Sequence, residues 1–131
     1  MKHVLVIDDQ KEVRNVLCRA MQSFGYEVHE AENGREGIRV SREIKPHLVL
    51  TDIFMPEQDG LETIRALRKL YRDIPIIAMS GGGDMGHLDV LRIARAMGAV
   101  QILAKPFSMQ KLRDVLTEVL PPGAPAETQK S

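Results

Sequence analysis

Four short segments carry side chains that could do chemistry together. Asp8-Asp9-Gln10 follows the apolar run Val4–Ile7, and Thr51-Asp52 follows His47–Leu50. Ser80 and three glycines follow Ile74–Met79, and Ala104-Lys105-Pro106 follows Val100–Leu103. Three carboxylates, a hydroxyl and an ammonium are the parts of a phosphoryl-transfer site, where catalysis is mostly positioning and charge neutralisation. The carboxylates of Asp8, Asp9 and Asp52 would repel one another at a shared site unless a cation were present. Mg²⁺ suits that role, because it takes one or two carboxylates plus oxygens from water and substrate phosphate. Lys105 adds a second positive charge, and Ser80 can donate to a phosphoryl oxygen. Asp52 is the candidate nucleophile, since aspartate accepts phosphoryl groups as a mixed anhydride. Asp9, with Asp8 behind it, would hold the metal. Taken singly, each residue has a plainer reading: a turn or helix cap for the acids, an N-cap for Ser80, a solvated charge for Lys105. Their joint position after four different apolar runs is what argues for a site.

To meet, these segments must be carried to one edge by the elements between them. The chain repeats one unit five times: a β-rich apolar run, a turn, then an amphipathic stretch of about a dozen residues. The expected strands are His3–Ile7, Tyr26–Ala31, His47–Leu50, Ile74–Met79 and Val100–Leu103. The first, third and fourth are nearly continuously apolar, as central parallel strands are, whereas Tyr26–Ala31 mixes polar and apolar residues like an edge. Between them, Val13, Val16, Leu17, Ala20, Met21 and Phe24 fall at helical spacing, and Gly25 sits where a left-handed residue ends a helix. Gly34–Ile44 stops before Lys45-Pro46, Leu61–Tyr71 aligns Ile64, Leu67, Leu70 and Tyr71, and Leu88–Met97 is closed by Gly98. Ser108 caps a last helix presenting Leu112, Val115, Leu116, Val119 and Leu120. Pro121-Pro122-Gly123-Ala124-Pro125 cannot continue it, so residues 121–131 are expected to be a disordered tail on a single domain of residues 1–120. Five strand–helix units with right-handed crossovers give an open, doubly wound α/β sheet, being too few for an eight-stranded barrel. Sites in such sheets lie outside the carboxyl ends of the strands, where all four segments fall.

Composition narrows the function classes. The 131 residues are 44% hydrophobic, enough for one domain with a real core and no staples. The 18 basic residues balance 18 acidic ones, so no basic excess attracts a nucleic-acid backbone. The longest apolar stretch, Ile74–Met79, falls far short of the ~20 residues that span a bilayer, and Val4–Ile7 is too short for a signal peptide. One unpaired cysteine, Cys18, fits a reducing, cytoplasmic location and is expected to be a packed thiol. Met55 and Met79 suit core packing better than ligation. His3, His29, His47 and His87 are scattered without metal-ligand spacing, and no role is assigned to them.

The motifs Val4-Leu5-Val6-Ile7-Asp8-Asp9, Leu48-Val49-Leu50-Thr51-Asp52-Ile53-Phe54-Met55-Pro56 with Asp59-Gly60, Met79-Ser80-Gly81 and Lys105-Pro106-Phe107 resemble the receiver domain of two-component response regulators, the CheY-like family. The resemblance covers residues 3 to about 120. It implies a flavodoxin-like (βα)₅ three-layer sandwich with strand order 2-1-3-4-5, and Mg²⁺-dependent phosphorylation of Asp52 by a histidine kinase's phosphohistidine or a small acyl phosphate. Carried over, Asp9 and Asp52 are direct Mg²⁺ ligands (Mn²⁺ can substitute), Asp8 reaches the metal through water, and the backbone carbonyl of Phe54 completes the set. Ser80 would bond the phosphoryl group, Lys105 would pair with it, and the Lys105-Pro106 bond would be cis. One departure concerns the switch. The family usually has an aromatic residue or histidine three residues before the lysine, and here that residue is Ile102, so ring rotation cannot report phosphorylation. Ser80 and the loop after it would carry the change, and Gly81-Gly82-Gly83 makes that loop permissive. Phe54 puts an apolar side chain where relatives often carry a polar one, either shielding the acyl phosphate or merely packing.

Two functions are compatible with these residues. One is a stand-alone receiver, with no output domain after residue 120, whose phosphorylation alters affinity for a separate downstream protein. The expected surface joins helix four, strand five and helix five, with Arg92, Arg95, Ala99, Gln101, Lys111 and Arg113, and prefers acidic partners. The other is a phosphorelay shuttle passing phosphate from one histidine to another, which needs no ring switch; in either case the expected partner is a histidine kinase or histidine phosphotransfer protein. A haloacid-dehalogenase-type phosphatase is disfavoured, because that family places its nucleophile in an Asp-x-Asp after strand one. A nucleotide or flavin binder would want a glycine- or hydroxyl-rich first loop.

Overall fold

The computed structural model describes residues 1–53, 60–80 and 87–121, with the backbone alone for 87–91. Expectations for Phe54, Met55, the three glycines after Ser80, the His87 side chain and the tail lie outside the described residues. Along the chain run β1 (His3–Ile7), α1 (Lys11–Ser23), β2 (Glu27–Ala31), α2 (Gly34–Ile44) and β3 (Leu48–Asp52). They are followed by α3 (Gly60–Leu70), β4 (Ile76–Ser80), α4 (His87–Met97), β5 (Gln101–Ala104) and α5 (Met109–Val119). All neighbouring strands pair in parallel, in the order β2-β1-β3-β4-β5. Among the described residues no helix is long and apolar enough to cross a membrane.

Side chains alternate across the strands and build a core on each face. Val4, Val6, Leu48, Leu50, Ile77 and Met79 meet Leu17, Cys18 and Met21 of α1 and Leu112, Val115 and Leu116 of α5. On the other face Leu5, Ile7, Val49, Ile76 and Ala78 meet Ile64 and Leu67 of α3 and Ala94 of α4. The central strands are therefore apolar on both faces, while β2 at the edge is partly exposed.

Element ends differ from the sequence reading for local reasons. β3 and β4 run on through Thr51-Asp52 and Ser80, because ladder pairing of Asp52 with Met79 and of Ser80 with Ala104 does not depend on side-chain polarity. β4 begins after Pro75, which has no N–H to donate, though its carbonyl accepts from Val49. Val16 and Leu70, aligned with the apolar stripes in sequence, are exposed. Cys18 occupies the inner face of α1 that Val16 leaves. Its thiol is pushed up to about 11 by burial and by neighbouring Glu30, as a packed, unreactive cysteine should be. Gly25 has φ of 104° and turns the chain from α1 into β2. Ser108 caps α5 by accepting from the Lys111 N–H.

Tyr26 ties the start of β2 to the end of α5, its buried hydroxyl donating to the Leu120 carbonyl. Tyr26→Phe keeps the ring and leaves that carbonyl without its donor. The expected loss is about 1 to 2 kcal/mol, read as a lower urea midpoint at unchanged slope.

Candidate functional site

The carboxyl edge gathers side chains from β1, β3, β4 and β5. Asp8 follows β1 directly, continuing the ladder through its N–H to the Ala31 carbonyl at 3.1 Å. Its side chain is fully buried, and Oδ1 accepts from the Gln10 N–H at 2.9 Å, fixing the turn into α1. Asp9, next along, is exposed. Asp52 ends β3 with only 5% of its surface exposed. Carboxylate oxygens of Asp8, Asp9 and Asp52 all lie within 4.8 Å of one another.

Lys105, one residue past β5, reaches back over this cluster. Its Nζ donates to Asp8 Oδ2 at 2.9 Å and to Asp52 Oδ2 at 3.3 Å. Burial opposes the charge on Lys105, but the hydrogen bonds and charges of Asp8 and Asp52 outweigh it and hold the ammonium above its ordinary pKa. The lysine backbone is anchored too, its N–H donating to the Ser80 carbonyl at 2.7 Å, and the Lys105-Pro106 bond is cis. Ser80 is fully buried at the end of β4. Ile102 is partly buried and packs on the core beneath α2, α3 and α4.

Two further residues position the site: Arg14, which no motif singles out, and Gly60, which belongs to the motif that follows Asp52. Arg14 of α1 donates from one guanidinium nitrogen to the Asp8 carbonyl at 2.8 Å and pairs through Nε with Glu30 at 3.0 Å, holding the turn that presents the two acids. Gly60 donates its N–H to the Ile53 carbonyl at 2.9 Å, seating the start of α3 against the end of β3. Nothing in the type or spacing of Arg14 singles it out from the other arginines of the chain.

Of the six residues expected to form a surface at α4, β5 and α5, one is not available to it. Ala99 is buried, and its N–H is bonded to the Ala94 carbonyl. Arg113 is exposed and also lies over the Phe24 ring at 5.2 Å, bridging α5 to the end of α1. Gln101 is half-buried and donates to Glu118 at 3.4 Å. Arg92, Arg95 and Lys111 are exposed.

A parallel five-stranded α/β sandwich with this strand order, carrying acids and a lysine at its carboxyl edge, is a CheY-like domain. The response regulator receiver domain model matches residues 4–117, and the chain belongs to that family. The sporulation initiation phosphotransferase F of Bacillus subtilis is 30% identical over 118 residues, 90% of this chain and 93% of that protein. The crystallised chemotaxis protein CheY4 of Vibrio cholerae superposes with a TM-score of 0.84 at 30% identity, covering 92% of this chain and 99% of that one. The response regulator TrrA of Thermotoga maritima, solved in complex with Mg²⁺-BeF, does so at 0.80 and 32% identity, over 92% and 100%. This is thus a response regulator receiver domain of two-component signalling.

The oxygen-only donor set of Asp8, Asp9 and Asp52 fits Mg²⁺, a hard cation that favours carboxylates. Lys105 alone leaves the three acids with a net negative charge that a divalent ion would offset.

Proposed function

We propose that Asp52 accepts a phosphoryl group from the phosphohistidine of a histidine kinase or histidine phosphotransfer protein. The observation that carries this is a nearly buried carboxylate at the end of the central strand, with Lys105 at 3.3 Å and two further acids beside it. An Asp52 carboxylate oxygen attacks phosphorus, the bond from phosphorus to the donor imidazole nitrogen breaks, and the imidazole leaves with the electron pair. The product is an acyl phosphate on Asp52. Lys105 neutralises charge on the phosphoryl oxygens, and the Ser80 hydroxyl donates to one of them. Asp8, Asp9 and Asp52 would hold Mg²⁺, which when bound supplies further neutralisation of that charge. The similarity to TrrA, solved with Mg²⁺-BeF, supports this reading.

The chemical state of Asp52 then has to be read elsewhere. Ile102 has no ring or hydroxyl to swing, so displacement of Ser80 and the segment after it carries the change to a downstream protein. Arg92, Arg95 and Lys111 favour an acidic partner. A second reading, relay between histidines, is favoured by Ile102 and by the similarity to a protein named as a phosphotransferase.

Incubation with Mg²⁺ and acetyl phosphate is expected to add one phosphoryl group to the native chain, seen by intact mass, and none to Asp52→Asn. An adduct that persists in Asp52→Asn would move the acceptor elsewhere. No adduct from acetyl phosphate or from a phosphorylated histidine kinase would overturn the reading.

A further inference from the structure

The opposite edge of the sheet holds a second cluster that phosphoryl transfer does not use. His3 begins β1, Glu27 and His29 lie two apart on β2, and His47 directly precedes β3. In register, His3 sits across from Glu27 and Leu5 across from His29. The His47 N–H donates to the His3 carbonyl at 2.8 Å, which sets those two side by side. All four share the strand parity of Leu5, Ala31 and Val49 and so project from one face. The His3 ring stacks between His29, at 5.2 Å between centroids, and His47, at 5.8 Å. The scatter of these histidines along the sequence is therefore undone by strand pairing.

We propose that His3, His29 and Glu27 form a binding site for a borderline divalent transition-metal ion such as Zn²⁺. His3 Nδ1 and His29 Nε2 are 3.0 Å apart, and a ligand atom from each of the three residues lies within 4.8 Å of the others. Two nitrogens held at ~2.0–2.1 Å by a tetrahedral Zn²⁺ lie about 3.3 Å apart, so capture requires a slight widening of an existing pair and a tilt of both rings that turns their nitrogens from each other toward the ion. The hydrogen bond between the rings holds them near that separation, and when the metal binds, the ring that donates the shared proton carries it on its other nitrogen instead. Burial, and then the neighbouring His3, keep the His29 imidazole below its ordinary pKa, which favours the neutral ring that ligates. His47 is the poorer ligand, because its Nδ1 already accepts from the His3 N–H at 2.9 Å and Lys2 stands nearby.

Ligand chemistry separates this site from the other one. Two imidazoles and a carboxylate suit Zn²⁺, Ni²⁺ or Cu²⁺, whereas the all-oxygen cluster at the far end of β1 suits Mg²⁺. Five strand steps, roughly 16 Å, separate His3 from Asp8. Occupancy would pin the edge strand β2 to β1, a clamp on the sheet independent of phosphorylation.

The test is calorimetric titration of Zn²⁺ into the full, chelator-treated chain in excess Mg²⁺, alongside thermal unfolding. One equivalent is expected to bind, raising the melting midpoint by several degrees, with His3→Gln and His29→Gln each weakening uptake at least about tenfold. Glu27→Gln, at an exposed position, should also weaken it and serves if a histidine variant fails to fold. Absence of uptake, uptake that excess Mg²⁺ competes away, or uptake undiminished in His29→Gln and Glu27→Gln would overturn the proposal.

Discussion

Lys105→Met is expected to cost about 3 kcal/mol of stability in Mg²⁺-free buffer and to slow phosphoryl uptake on the order of a hundredfold. The stability loss arises because Asp8 is fully buried and its Oδ2 takes the lysine proton at 2.9 Å. Methionine matches the length of the stem but leaves that oxygen without its donor, and leaves the Asp8 and Asp52 carboxylates with their mutual repulsion uncompensated. Removing one partner of a buried pair is the costly change, far more so than replacing both. Asp8→Asn combined with Lys105→Met should therefore recover most of the loss, giving a coupling energy of the sign expected for neighbours in one network. Mg²⁺ should also narrow the deficit, since a cation bound by the three acids supplies the missing charge. Urea unfolding with chelator and with Mg²⁺ measures both effects. A single variant as stable as the native chain in chelator would show that the pair at 2.9 Å contributes nothing to the fold. The kinetic loss has a separate origin, because in the proposed transfer the ammonium that faces Asp52 at 3.3 Å would meet charge on the phosphoryl oxygens.

How much of this could be read from the sequence follows from the geometry of a parallel sheet. Val4–Ile7, Leu48–Leu50 and Ile76–Met79 are apolar on both parities, so their central place and the polar residues at their carboxyl ends could be read without coordinates. Asp8, Asp9, Asp52, Ser80 and Lys105 were legible as candidates for that reason. The amino edge was not legible, because His3, Glu27, His29 and His47 become neighbours only through strand register, and metal motifs are recognised by local spacing within one element. Parity was a partial signal, pairing Glu27 with His29 on one face of β2, while the register of β1 with β2 and β3 brings His3 and His47 to the same face. Arg113 shows a different limit: it is exposed, as its charge implies, but the contact of its guanidinium with Phe24 at the end of α1 depends on how α1 and α5 pack and has no local signal. Val16 shows a third, for it falls within the apolar spacing of α1 yet sits outside the stripe that Leu17, Cys18 and Met21 bury.

Gly60 is the residue at which fold and site are least separable, and Gly60→Ala is expected to destabilise the domain by about 3 kcal/mol or more and to weaken Mg²⁺ binding with it. A Cβ at this position would stand 2.3 Å from the Asp52 carbonyl oxygen, 2.4 Å from the Ile53 Cα and 2.6 Å from the Ile53 carbonyl oxygen. All three are backbone atoms, so no rotamer change can relieve the overlap. Either the first turn of α3 must move away, breaking the Gly60 N–H bond to the Ile53 carbonyl and opening the packing of Ile64 and Leu67, or the end of β3 must move. The second course displaces Asp52 itself, whose carboxylate has to stay within reach of Lys105 and of the Asp8 and Asp9 carboxylates. A single methyl group should thus lower the urea midpoint and reduce the stabilisation that Mg²⁺ confers. Gly37→Ala provides the contrast, since the atoms nearest its Cβ would be side-chain atoms of Ile7, beginning at 2.3 Å, on the α2 side of the sheet. Some stability is lost there through repacking, but nothing presses on the Asp52 backbone, and the Mg²⁺ response should survive. If both variants lose stability and Mg²⁺ response in the same proportion, the loss is general loosening, and the direct pressure of α3 on the end of β3 is not what governs the site.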